Sequence, residues 1–506
     1  MSQVEDILAQ DFGTLAEVVH LHAVEEPGRI AFVVGEARLS YGDLDALMDR
    51  VAGKLQAEGL LPGDRIAICA ATSIDYAAIF LGALRAGVAV APIAPSSTPE
   101  QIVAMIADSG APILFADGQV VETLDGVALA ARTVVRLDQS DKLAEWLSDH
   151  APALVQVDPA APFHIIYSSG TTGTPKGIVQ SHRMRWGHVT GGAKLGYTTR
   201  SVTLLSTPLY SNTTMASFMP AIGAGGTIVM MPKFDAAAYL KLAETHRMTH
   251  TMLVPVQYRR IMALPDFEAH DLSSTVMKFA TSAPFPAELK ADVLARWPGG
   301  LVEYFGMTEG GGVCVLLAHL FPDKLHTVGR PAPGHDMRVL GEDGSELPAG
   351  EIGEVVGHSA ATMNGYHNRP DQTEAAMWTA PDGRRFMRTG DVGRFDADGF
   401  LTLMDRKKDM IISGGYNIYP SDIEAILTAH PDVVEAAVVG IPSNAWGETP
   451  VAFLALRSGD GETVRDWANA QLGKTQRLSG VAVVEALPRS AIGKVLKREL
   501  RDSWAG

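Results

Sequence analysis

The sequence predicts an α/β protein. A large N-terminal domain of layered α/β subdomains, with a small β subdomain, should precede a small α+β C-terminal domain. Three observations predict it. Apolar residues at helical spacing alternate with short β-branched runs over most of the chain, the pattern of helices packed on parallel strands. After residue 330 or so the texture shifts to Gly and acidic turns between short strands. The last stretch returns to strand–helix alternation in a unit of domain size. A chain of 506 residues has room for this division. The expected boundaries are 1–404 for the N-terminal domain, 405–409 for a hinge and 410–506 for the C-terminal domain.

The elements follow in order. "LSYGDLDALMDRVAGKLQAEGL" (39–60) has the spacing of an amphipathic helix. "GDRIAICA" then reads as a buried strand, and "IDYAAIFLGALRAG" as a helix ending at Gly87. "VAVAPI", "APILFA" and "ARTVVRL" are further strands. In the later region, "MRVLGEDGSELPAGEIGEVVG" supplies short strands and turns. "GRFDADGFLTLMDRKKDMIISGG" places two strands around a turn at Asp398–Gly399. "YPSDIEAILTAHPDV" reads as a helix with Asp422 and Glu424 in its first turn, stopping before Pro431. "VVEAAVVGIP" and "TPVAFLAL" are strands.

Composition excludes several classes. Apolar residues make up 46% and charged residues 20%, as in ordinary globular proteins. Two cysteines, Cys69 and Cys314, cannot form a disulfide framework. The acidic start "MSQVEDILAQDFG" lacks the basic and apolar regions of a secretory signal. No apolar run approaches the roughly 18–20 residues that span a bilayer. The net charge of −16 argues against nucleic acid and acidic membranes as general partners. A cytoplasmic enzyme acting on small molecules is the expectation; a homo-oligomer is left open.

"YSSGTTGTPKG" (167–177) is the most informative strip. Small residues let backbone N–H groups approach a ligand closely, hydroxyls add donors, and the lysine adds a mobile charge. Together they suit phosphate oxygens, although a Gly/Ser/Thr strip by itself is also how a surface turn reads. It is not a Walker A loop, because no Gly-Lys-Ser/Thr follows Gly170 at the required spacing.

The strip resembles the signature loop of the AMP-forming adenylating superfamily, the group of acyl- and aryl-CoA ligases, adenylation domains and luciferases. Four more motifs resemble that family's, in family order: "YFGMTEGG" (304–311), "RTGDVGRFDADGF" (388–400), "DRKKDMIISGGYNIYPSDIE" (405–424) and "PRSAIGKVLKREL" (488–500). The resemblance spans nearly the whole chain and is most like a free-standing carboxylic acid–CoA ligase. It implies ATP, Mg²⁺ and CoA, a two-step reaction through an acyl adenylate, and a mobile C-terminal domain.

Site roles are carried over from the resemblance. It implies Ser169, Thr171, Thr172 and Lys176 on the β- and γ-phosphates, Thr308 on the α-phosphate and Glu309 on Mg²⁺. Phe305 should stack on adenine, and "TSAPFP", with Ser282, Ala283 and Pro284, should run along the purine. Asp391 should accept from the ribose hydroxyls, which suits an acceptor-only carboxylate, and Arg406 should reach ribose or phosphates. Lys494 should bridge the carboxylate and the α-phosphate during adenylation. Lys408 matches the hinge, Gly414 and Gly415 the pantetheine tunnel, and Trp446 is a candidate for the CoA adenine.

Two departures concern the acid pocket. In "TPLYSNTTMAS", Ser211 stands where relatives carry a gating His. Tyr304 stands where relatives that accept flat hydroxycinnamates often carry Gly. Met215, Phe218 and Tyr258 are weaker pocket candidates. The substrate expected is a hydrophobic acid, aromatic or phenylpropanoid-like first, medium-chain or alicyclic second. The alternatives are an enzyme loading a carrier protein and a non-catalytic nucleotide sensor. The end "WAG" is not an SKL-type peroxisomal address, and a free-standing ligase is expected in preference to a peptide-synthetase module.

Overall fold

The computed structural model describes residues 2–147, 149–168, 175–406, 408–413, 416–443, 446–474, 476–490 and 494–504. The chain forms two compact units. The first takes in 1–325, 332–335 and 358–387; the second takes in 326–331, 336–357 and 388–506.

The first unit is built on two sheets. A seven-stranded sheet runs in the order Gly365–Tyr366, Lys176–Ser181, Pro162–Ser168, Ala89–Pro92, Arg65–Cys69, Ile113–Ala116, Thr133–Arg136. Its strands from Pro162–Ser168 to Thr133–Arg136 pair in parallel, as the strand–helix alternation predicts. At the other side Pro162–Ser168 and Lys176–Ser181 form an antiparallel hairpin, with Tyr167 opposite Gly177. The second sheet is also largely parallel, through Met277–Ala280, His250–Leu253, Val202–Leu205, Thr227–Met230 and Ile30–Val34. The Gly300–Phe305 strand extends it beside Met277–Ala280.

Helices bury their apolar faces on both sheets. The Tyr41–Ala57 helix starts at Ser40, whose side chain accepts from the Asp43 N–H. The Ile74–Arg85 helix is buried on every side, which explains its unbroken apolar run. Its Phe80 joins Met48, Phe218, Phe32 and Phe115 in one core that takes residues from both sheets. Among the described residues no helix is long and apolar enough to cross a membrane.

The second unit contains the antiparallel pairing of Asp391–Phe395 with Leu401–Arg406, with Asp398 and Gly399 in the loop between them. Its five-stranded sheet runs Tyr416–Ile418, Ile411–Ser413, Gly447–Leu456, Val433–Ser443, with Gly480–Val483 also on Gly447–Leu456. The Pro420–Thr428 helix packs Ile423 and Leu427 against Val438 and Leu454 of that sheet. Asp422 lies in its first turn, but Glu424 falls beyond it. The Glu424 carboxylate instead accepts the Val438 N–H and pairs with Lys497, both at 2.8 Å.

Candidate active site

The signature strip begins in the Pro162–Ser168 strand and ends in the Lys176–Ser181 strand, and these two strands pair antiparallel. Ser169, Thr171 and Thr172 lie outside the described residues. The base of the hairpin is tied down. The Tyr167 hydroxyl donates to Asp108 at 2.9 Å, and Arg369 donates to the other oxygen of the same carboxylate at 2.7 Å. At the start of the Lys176–Ser181 strand, the Lys176 ammonium sits 5.3 Å from the centre of the Tyr366 ring. The Tyr366 hydroxyl donates to Glu309 Oε1 at 2.9 Å. Thus Lys176, Tyr366 and Glu309 stand in one line of contacts.

The Thr308–Glu309 loop is fixed from two directions. Gln180, buried on the hairpin, donates its amide to the Thr308 carbonyl. The Met363 N–H donates to the Glu309 carbonyl at 2.9 Å, and the Gly311 N–H to Ala361 at 3.1 Å. Gly310 is required here. Its φ is +75°, and a Cβ would sit 1.9 Å from the Ala361 oxygen. Both Thr308 and Glu309 are half-buried.

Mg²⁺ is implied by the family resemblance. Among the described residues no group of three or more His, Cys, Asp or Glu could hold a metal. A single oriented carboxylate, Glu309, fits Mg²⁺, which keeps waters and takes most ligands from substrate phosphates. When bound, the ion would neutralise triphosphate charge.

Phe305 and Tyr304 end the Gly300–Phe305 strand and point to opposite faces of it. Tyr304 stacks on Phe279 at 5.9 Å, Phe279 on Tyr197 at 6.1 Å, and Tyr197 on His250 at 4.0 Å. Tyr304 is the half-buried end of this column. Among the described residues its hydroxyl has no hydrogen-bond partner, and burial pushes its pKa up.

The "TSAPFP" segment carries a strained residue. Ser282 has φ +80°, a region L side chains rarely adopt. Its hydroxyl meets that of Thr213 at 2.6 Å. Ala283 is half-buried and Pro284 exposed. Ser211 caps the Asn212–Gly223 helix and accepts the Thr213 N–H at 3.2 Å. Met215, Phe218 and Tyr258 are fully packed, and the Tyr258 hydroxyl is taken by the Phe279 carbonyl at 2.9 Å.

The second unit gathers the remaining charged candidates. Asp391 and Arg406 are direct cross-strand partners, with Arg406 Nε 3.0 Å from Asp391 Oδ1. Asp391 is buried, and that burial raises its pKa against the opposing pull of Arg406 and Lys494. Lys494 stands next to the antiparallel Arg489–Val495 bridge, and its carbonyl accepts the Ser490 N–H at 2.8 Å. Desolvation lowers its pKa to about 8; Arg406 and Lys408 push the same way, and Asp391 and Asp409 oppose. The side chain as a whole keeps solvent contact. Lys408 is exposed, with its own pKa lowered chiefly by desolvation.

Trp446 is 52% exposed, beside Gly447, which pairs with Ser413. Gly414 and Gly415 lie outside the described residues.

Comparison with known proteins gives this geometry a family. Residues 19–367 match the family described as AMP-binding enzyme, and residues 422–494 match the AMP-binding enzyme C-terminal domain. The chain belongs to the AMP-binding enzyme family. It is similar to an indoleacetate–CoA ligase of Aromatoleum aromaticum, 34% identical, with 96% of this chain and 98% of the relative covered. It is similar to a fatty acid–[acyl-carrier-protein] ligase of Streptomyces coeruleorubidus, 32% identical, with 97% of each covered. The ATP-bound structure of MatB from Rhodopseudomonas palustris superposes with a TM-score of 0.87 at 28% identity, covering 96% of this chain and 98% of that one.

This AMP-binding enzyme is therefore an AMP-forming ligase, of a class that uses ATP, Mg²⁺ and CoA. Tyr366, Gln180 and Arg185 were not singled out by motif reading. Tyr366 lies in "NGYHN", which carries no spacing signal toward Glu309. Only sheet pairing brings the two together: Gly365–Tyr366 lines up on Lys176–Ser181.

Proposed function

We propose that the protein joins a hydrophobic carboxylic acid to CoA through an acyl-AMP intermediate, with aromatic or phenylpropanoid-like acids favoured. In the first half, a carboxylate oxygen attacks the α-phosphorus of ATP. The bond to the β-phosphate breaks and pyrophosphate leaves. In the second, the CoA sulfur attacks the acyl carbon, the thiol proton is lost, and AMP departs.

The first half brings two anions together, so it needs donors and cations aimed at the charge that develops. Lys176 and Thr308 suit the phosphates, and Glu309, steadied by Tyr366, suits Mg²⁺. Asp391 suits the ribose, Arg406 the ribose or phosphates, and Lys494 the developing charge between carboxylate and α-phosphate. Phe305 and the 281–286 segment are assigned to the adenine. The observation that carries the reading is the charge cluster of Asp391, Arg406 and Lys494, drawn from three separate motifs.

Tyr304 supports an aromatic acid. It offers a flat ring at the end of a stacked column, with a hydroxyl that has no hydrogen-bond partner among the described residues. The similarity to an indoleacetate–CoA ligase points the same way.

A second reading concerns the thiol. Ile412 and Tyr416 are exposed on the small sheet of the second unit, and Trp446 is exposed next to its Gly447–Leu456 strand. An apolar surface of this kind suits a carrier protein's phosphopantetheine and its surroundings, and a similar chain is named as a carrier-protein ligase.

The test is a panel of benzoates, cinnamates, arylacetates, alicyclic acids and graded fatty acids with ATP, Mg²⁺ and CoA. The expected result is acid-dependent pyrophosphate release with the matching acyl-CoA by mass, strongest for an aromatic acid. Pyrophosphate release without acyl-CoA would favour the carrier-protein reading. No release with any acid would overturn both.

A further inference from the structure

Among the described residues, Arg185 is a buried cation without an anionic partner. It lies in the His182–Thr190 helix and is 1% exposed. Its guanidinium donates to three neutral acceptors: His164 Nε2, at 3.1 Å from Nε, Gln180 Oε1 and Asn212 Oδ1. Among the described residues no carboxylate pairs with it, and desolvation pulls its pKa down to about 9. The groups facing it are themselves kept neutral. His164 and His188 both have lowered pKa values, through burial first and then through the Arg185 charge. His182, on the same helix, is lowered by burial to about 4. His164 Nδ1 is buried with no hydrogen-bond partner among the described residues.

An unpaired buried charge is costly, and buried arginines ordinarily find a carboxylate. This one is held instead between two parts of the candidate site. A guanidinium only donates, so it fixes the carbonyl end of the Gln180 amide toward itself. The amino end of Gln180 is thereby aimed at the Thr308 carbonyl. On the other side Asn212 follows Ser211 at the start of the acid-pocket strip. Arg185 thus stands one side chain behind both.

We propose that Arg185 is a positioning residue for adenylation: it orients Thr308 through Gln180, and its unpaired charge favours the anions that the reaction brings together. The inference rests on the proposed ligase reading. The positive field needs no protein counter-ion if its counter-charge arrives with the substrates.

Asn212→Asp tests it. This change keeps an acceptor for Arg185, adds the missing carboxylate, and places an acid in the first turn of a helix, where acids are favoured. The variant should melt no lower than wild type. Its acid-dependent pyrophosphate exchange should fall roughly 10- to 100-fold in kcat/KM, because a small misplacement remote from the reacting atoms can cost about 100-fold. Conversion of preformed acyl-AMP and CoA should fall less. A variant with a raised melting temperature and wild-type exchange would overturn the proposal and leave Arg185 a structural residue.

If Asn212→Asp fails to fold, the pair Arg185→Lys and Arg185→Met decides. The lysine variant should retain at least about tenfold more exchange than the methionine variant, and equal exchange by two folded variants would overturn the idea. Active wild type with fully active variants sinks this inference alone. Wild type inert toward every acid sinks it together with the ligase reading.

Discussion

Lys494 concentrates the chemistry in one side chain. Desolvation lowers its pKa to about 8, with Arg406 and Lys408 pushing the same way and Asp391 and Asp409 opposing. If its role is to stabilise charge during adenylation, only the protonated form serves. The adenylation rate should then hold below that value and decline as pH rises through it. A pH profile of pyrophosphate exchange measures this, and Lys494→Ala should flatten that alkaline limb. The same variant should lose roughly 100-fold or more of its adenylation rate, as for removal of one transition-state donor. It should still convert preformed acyl-AMP and CoA. Equal loss in both halves would show that Lys494 does not divide its labour in this way.

At the scale of elements, the strand that ends in Tyr304 and Phe305 depends on a buried ion pair. Lys290, on the Ala287–Arg296 helix, pairs with Glu303 on the Gly300–Phe305 strand and also donates to the Leu325 carbonyl at 2.8 Å. Burial raises the Glu303 pKa to about 7, with Lys290 opposing. Removing one partner leaves an uncompensated buried group, which costs about 3–5 kcal/mol. Lys290→Met should therefore unfold at distinctly lower denaturant, read by fluorescence or circular dichroism. Adding Glu303→Leu should recover much of the loss. If the single variant matches wild type, the pair is not what holds the strand.

For the whole molecule, the expected hinge makes a claim that both half-reactions can judge. The Asp405 carboxylate accepts the N–H groups of Arg406 and Ser421, at 2.8 and 3.0 Å, so the chain is anchored on both sides of Lys408. The Lys408 N–H makes no hydrogen bond to a described residue. Proline there removes no known bond but holds φ near −65°. If the C-terminal domain turns about this point between half-reactions, Lys408→Pro should act on them unequally. Acyl-CoA formation should fall at least about tenfold more than pyrophosphate exchange, each measured on the same preparation. Equal effects would remove Lys408 from the hinge.

The sequence by itself determined the α/β class, the order of the elements and the family. Those properties are local: a helical period, a β-branched run, a capping Ser40 or a Gly-rich motif declares itself within a few residues. It also named Asp391, Arg406, Glu309 and Lys494, because each sits in a recognisable motif. Tertiary structure decided who meets whom. Asp391 faces Arg406 because of strand register, Tyr366 reaches Glu309 because a two-residue strand joins the signature hairpin, and Glu424 serves Val438 and Lys497 instead of a helix end. Burial was equally invisible in the chain. Arg185 reads as one more surface charge in "SHRMRWGH", and only packing takes it out of water with no counter-ion among the described residues. Pairings between distant segments leave no period in the sequence, and the cost or use of a charge is set by what surrounds it after folding.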